Sequence, residues 1–122
     1  MTIHKNANSI PSAELAESLL GQPTAQPLDG DITVRKEVFF VDEPHGITSG
    51  TWESEPGRSR WEFTDRGEII QVLSGSMTVQ RDGEQPVLLQ PGDTAIFELG
   101  WKGEWTVHER FRKMFVIFAR RS

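Results

Sequence analysis

The sequence predicts an all-β domain of antiparallel strands, closed or wrapped as two sheets, and three observations carry that expectation. From Asp31 onward, short runs rich in Val, Ile, Phe, Thr and Trp recur at intervals of about 8–12 residues. Clusters of Gly, Pro and Asp separate them, the residues that supply turn geometry. No apolar spacing of helical period follows residue 21. Strand sets of this kind remove their exposed edges by closure or double-sheet wrapping.

The elements follow in order. Ser12–Leu20 (SAELAESLL) carries Leu15, Leu19 and Leu20, with Ser12 placed as an N-cap and Gly21 as a stop, which predicts one short helix. Residues 22–30 hold two prolines and no periodicity, so they read as a linker or surface arm. The predicted strands are Ile32–Val41, Ile47–Glu53, Arg58–Phe63, Ile69–Leu73, Ser76–Arg81, Val87–Leu89, Thr94–Glu98, Gly103–His108 and Lys113–Arg120. Turns fall at Glu55-Pro56-Gly57, Asp65-Arg66-Gly67, Ser74-Gly75 and Pro91-Gly92-Asp93, and Asp82-Gly83 is the clearest hairpin signal. The organisation expected is a helix and arm over residues 1–30, then a single barrel over 31–122.

Composition narrows the function classes. The 122 residues suffice for one domain, large enough to bury about two thirds of the unfolded surface. With no cysteine, disulfides and thiolate metal sites are excluded. No apolar run nears the roughly 20 residues that span a bilayer, and Met1 to Asn8 does not resemble a signal peptide, so the expected location is cytoplasmic. A formal charge of −5 argues against nucleic acid or an anionic membrane as partner. The end of the chain is locally basic (Arg110, Arg112, Lys113, Arg120, Arg121), which reads as a solvated strand face or a subunit contact.

Two segments carry a family resemblance. Glu68-Ile69-Ile70-Gln71-Val72-Leu73-Ser74-Gly75 sets a carboxylate before an alternating strand that ends in a glycine turn; Pro91-Gly92-Asp93-Thr94-Ala95-Ile96-Phe97 is a tight turn feeding another strand. The chain here resembles the cupins, whose motifs are G-x5-H-x-H-x(3,4)-E-x6-G and G-x5-P-x-G-x2-H-x3-N. Glu68 and Gly75 keep the E-x6-G spacing; Gly92 and Gly100 keep the frame of the second motif, with Glu98 at its proline position. Within the cupins the chain looks most like the small group of unknown function related to (S)-ureidoglycine aminohydrolase, on Gly50-Thr51-Trp52-Glu53, Pro56-Gly57, Gly100 to Trp105 and Arg112-Lys113. The resemblance implies a jelly-roll, or double-stranded β-helix, barrel.

It also implies where a metal would sit, and there the chain departs from the pattern. The early histidine positions fall on Trp61 and Phe63, or on Glu62 and Thr64 with a shorter spacer; the late histidine falls on Gly103 and the asparagine on Val107. Glu68 alone cannot hold a transition metal, which takes three or four N or O donors. His4, His45 and His108 do not repair the set, although Glu62, Glu68 and His108 together make a conceivable weak divalent site. The expectation is therefore no metal ligands and no cofactor, with a weakly held divalent ion as the alternative.

The resemblance turns Glu68 inward, as the candidate catalytic acid or base, and a buried carboxylate needs a partner. Arg58, Arg60 and Lys113 are the candidates. Tryptophans and phenylalanines around one carboxylate and a base have the composition of a small-molecule site. The expected pocket comprises Trp52, Arg60, Trp61, Phe63, Glu68, Phe97, Trp105 and Lys113. Three functions stay open on the residues alone: a cupin that binds a small molecule without the His-rich metal site, a metal-dependent enzyme of aminohydrolase or isomerase type, and a non-catalytic interaction domain. Cupins resembling this chain imply a homodimer.

Overall fold

The computed structural model describes residues 1–21 and 23–119. Their strands are β1 Ala16–Leu19, β2 Ala25–Pro27, β3 Thr33–Asp42, β4 Ile47–Ser54, β5 Gly57–Glu62, β6 Arg66–Ser74, β7 Met77–Arg81, β8 Val87–Leu89, β9 Thr94–Phe97, β10 Lys102–Val107 and β11 Phe111–Ala119. One sheet has the order β1-β3-β4-β11-β6-β9 and the other β2-β5-β10-β7-β8, with antiparallel neighbours throughout. This is a jelly roll, the architecture the strand pattern predicts. The nine strands expected from Asp31 onward all form, with ends shifted by up to three residues; of the last one, Arg120 lies outside the described residues, as does Arg121. Among the described residues no helix is long and apolar enough to cross a membrane.

The expected N-terminal helix does not form. Ser12–Glu14 makes one 3-10 turn, and the chain then extends into β1, which pairs with Thr33–Lys36 of β3. Two competitors explain the outcome. The Ser12 hydroxyl makes no cap bond: it is turned to the outer ion-pair cluster, donating to Glu53 at 2.9 Å and accepting from Arg112 at 3.4 Å. A helix of about nine residues is marginal by itself, whereas the open edge of β3 offers the same backbone groups a ladder of hydrogen bonds. Within the expected linker, residues 25–27 become β2 on the edge of the second sheet.

The core lies between the sheets. Period-two alternation turns Trp52 of β4, Ile70 and Val72 of β6, and Phe111 and Phe115 of β11 inward against Trp61, Met77, Val79 and Trp105. The outer face of the six-stranded sheet is covered as well, by the N-terminal segment. There Arg112 donates to Glu53 at 2.9 Å, with side chains 6% and 4% exposed, and reaches the carbonyls of Ala7 and Ile10. Arg35 bridges Glu53 and Glu55 at 3.1 and 2.7 Å, and Arg110 also pairs with Glu55. The basic end read as a solvated face is therefore corrected for Arg112 and Lys113: both are buried, each against a carboxylate.

These ion pairs set the acid stability. Burial would raise the Glu53 pKa, but hydrogen bonds from Ser12 and Arg112, with the charges of Arg112 and Arg110, bring it below the ordinary 4.5. The hydrogen bond from Arg35 chiefly holds Glu55 below the same value, against its desolvation. A carboxyl whose folded pKa is depressed contributes stability that is present above its unfolded pKa and lost as pH falls through the folded one. The urea midpoint is accordingly expected to be flat from about pH 7 to 5 and to drop steeply below about 4.5. A midpoint unchanged to about pH 3 would show that the outer network contributes nothing.

Candidate functional site

β11 presents Phe111, Lys113, Phe115 and Ile117 to the barrel interior, so a lysine stands in an otherwise apolar row. Next to it, Arg112 points to the opposite face, and the β11–β6 register shifts between the two residues, the kind of local irregularity that re-aims side chains. Lys113 is 2% exposed, and its ammonium donates to Glu68 Oε2 at 2.6 Å. Glu68 is 3% exposed and stands opposite Ile117, four residues along β11 from Lys113. The two meet because the long lysine side chain runs along the barrel interior over the Phe115–Ile70 pair.

Rings enclose the ammonium. Lys113 Nζ lies 4.3 Å from the Trp52 ring centroid, 4.6 Å from Trp105 and 5.6 Å from Trp61, within cation–π range of all three. Trp61 and Trp105 stack with centroids 3.7 Å apart, and Trp52 stands edge-on to both. Burial is the largest influence on Lys113 and pushes its pKa below the ordinary lysine value; the charge and hydrogen bond of Glu68 oppose it.

A cavity of about 290 Å³ opens beside this pair. Trp52, Trp61, Glu68 and Lys113 line it, with Val34, Lys36 and Val38 of β3, Phe115 and Ile117 of β11, and the end of β1 with Leu20 and Gly21. Of the expected pocket residues, those four reach the cavity. Phe63, Phe97 and Trp105 are fully buried behind it as packed rings, with Phe63 and Phe97 stacked at 5.5 Å. Arg60 belongs elsewhere: alternation along β5 turns it outward, where it pairs with Asp82 at 2.6 Å and Glu62 at 3.4 Å. Arg58 likewise goes to Asp29 and Glu104, which leaves Lys113 as the partner of Glu68. Sequence reasoning missed Val34, Lys36 and Val38 of β3, Phe115 and Ile117 of β11, and the end of β1 with Leu20 and Gly21. The alternation Val34-Lys36-Val38 carried the signal for Lys36; nothing local marked residues 18–21, because their place follows from the pairing of β1 to β3.

The residues at the metal positions of the motif do not fit a metal. Glu68 holds an ammonium, and the early positions carry Trp61 and Phe63, both in the ring stack. At Gly103 a Cβ would strike the backbone oxygen of Gln80 and lie 2.7 Å from Trp101 Cη2, so no imidazole is accommodated there. The alternative set is also dispersed: Glu62 is exposed on the outer face, and His108 is exposed and bonded to Thr78 at 2.7 Å. Among the described residues no group of three His, Asp or Glu side chains lies close enough to hold an ion.

The buried pair gives a sharp expectation. Glu68→Gln leaves the ammonium uncompensated and is expected to destabilise the fold by about 3–5 kcal/mol in urea unfolding. The double change Glu68→Gln with Lys113→Met removes both charges and should recover most of that loss. A double variant no more stable than the single one would show that the lysine is held by its rings alone.

Residues 42–115 match the family model described as the EutQ-like cupin domain. In fold the chain is similar to the EutQ protein of Clostridium difficile, at 22% identity and a TM-score of 0.62, over 73% of this chain and 64% of that one. It thus spans somewhat less than two thirds of that relative. Ectoine synthase from P. lautus is similar over 99% of this chain and 80% of its own, at 10% identity and a TM-score of 0.68. A protein of unknown function from Pseudomonas syringae pv. tomato is similar at 17% identity and a TM-score of 0.71, over 83% of this chain and 43% of its own. At such identities the likeness is one of fold. No curated protein matches the sequence. The matching description is EutQ-like, where the sequence motifs pointed within the same superfamily to the group related to ureidoglycine aminohydrolase. With its two-sheet jelly roll and a family match over more than half its length, the chain belongs to the EutQ-like cupin domain family.

Proposed function

We propose that the barrel binds a small organic molecule in the cavity beside Trp52, with the Glu68–Lys113 pair as its fixed polar anchor and no metal in the usual cupin position. The observation that carries this reading is an ion pair buried among three indole rings at the wall of a 290 Å³ cavity. Ligand sites of about 300–1,000 Å³ combine apolar walls with a few placed polar groups, and this cavity, at about 290 Å³, lies just under the lower bound, which restricts it to a small molecule. A metal-dependent activity is disfavoured by the donor set itself. In a thermal-shift screen of small acids, amines and sugars, a ligand at about 100 times its Kd adds roughly 2.7 kcal/mol. At least one compound is expected to raise Tm, and Trp52→Ala to abolish that response. Silence across the screen, or a shift unaffected by Trp52→Ala, overturns the reading.

A second observation favours a homodimer alongside this function. β1 covers only Thr33–Lys36 of β3, so among the described residues the edge from Glu37 to Asp42 has no strand partner on that side. Phe40 and Val41 there are 42% and 55% exposed. An antiparallel edge is complementary to its own copy across a two-fold axis. Sedimentation is expected to give a dimer that Val41→Lys dissociates; a monomer at about 100 μM, far above a Kd worth 8.2 kcal/mol, overturns it.

A further inference from the structure

Among the described residues three charged side chains line the cavity, and two of them are lysines. Lys36 and Lys113 both pair laterally with Trp52, so β3, β4 and β11 set a Lys–Trp–Lys row across one face of the sheet. Two strand spacings put the lysine Cα atoms about 10 Å apart. Lys113 lies deep, with Glu68 as its hydrogen-bond partner; Lys36 is exposed at the opening. Glu68 neutralises one cation, and the other is left facing the cavity. A molecule lying over Trp52 therefore meets a positive charge at one end and a carboxylate-paired amine at the other. Amines in desolvated, ring-lined surroundings are the ones that serve as nucleophiles toward carbonyls.

Resting on the reading of this cavity as a ligand site, we infer that Lys113 captures a small oxo acid as a reversible imine, with Lys36 holding the carboxylate and Glu68 moving the protons. The Lys113 ammonium first passes a proton to Glu68, giving a neutral amine and a neutral acid. The amine nitrogen forms a bond to the carbonyl carbon while the carbonyl oxygen takes the proton from Glu68. Glu68 then removes a proton from that nitrogen and returns it to the new hydroxyl, which leaves as water as the C=N bond forms. One carbonyl and one ammonium become one iminium and one water. The charge is unchanged, so the iminium keeps Glu68 as its counter-ion. No oxidant or metal enters. Burial lowers the proton affinity of Lys113 and favours the first transfer.

Borohydride trapping tests this on the intact chain. With glyoxylate, pyruvate or 2-oxobutyrate, borohydride should fix one substituent per chain, located at Lys113 by peptide mapping. Lys36→Gln should raise the oxo-acid concentration for half-maximal trapping by about tenfold, the loss of one charged contact of about 1.4 kcal/mol. Lys113→Arg should abolish the adduct. Since wild-type mapping alone locates the adduct, the test survives a variant that fails to fold. No adduct with any of the three acids, or substitution spread over surface lysines, overturns the inference. Lactate and 2-hydroxybutyrate, which have no ketone or aldehyde group, separate the two readings. If they raise Tm and no imine is trapped, the binding site stands and the covalent step falls. If neither class raises Tm and nothing is trapped, this cavity is not a site for small acids.

Discussion

The Glu68–Lys113 pair is the constraint on which the barrel interior depends. Taking two charges out of water costs several kcal/mol each, and their attraction offsets that only with close geometry and further support. Here the geometry is a 2.6 Å hydrogen bond, and the support comes from three indole faces around the ammonium. The rings are held in turn: Trp61 donates its N–H to Ser59 and stacks on Trp105. Charge and rings fix each other, and together they form the wall of the cavity.

β11 organises both faces of its sheet. Arg112 and Lys113 are neighbours in sequence and point in opposite directions, each into a buried carboxylate, Glu53 outside and Glu68 inside. The N-terminal segment touches both arrangements. Its carbonyls of Ala7 and Ile10 accept from Arg112, and its residues 18–21 line the cavity. That segment thus reaches both the outer ion-pair network and the cavity.

A cupin barrel is a scaffold on which many unrelated activities occur, so function must be argued from the site. In this chain the interior position next to the family glutamate holds an organic cation. An ammonium supplies a positive charge and a movable proton, where a transition metal would supply a Lewis acid and open coordination positions. The groups that this interior offers are an ammonium and a carboxylate among indole rings.

Much of the fold was legible. Strand period, turn residues and the spacing from Glu68 to Gly75 depend on local rules, and local rules survive in a sequence read alone. The loss of imidazole positions at Trp61, Phe63 and Gly103 was legible for the same reason, since it concerns which residues are present. The N-terminal helix was misread because its competitor, the free edge of β3, is remote in sequence. Arg60 and Lys113 were equal candidates as partners of Glu68 until pairing and alternation sent one outward to Asp82 and the other inward to the rings. The row Lys36–Trp52–Lys113 joins strands far apart in the chain. The sequence by itself determined the strands, the turns and the absence of a histidine ligand set. Only the tertiary structure decided which charges met, because register and face are fixed by hydrogen bonds between distant strands, and a shift of one residue would have turned each side chain to the other side.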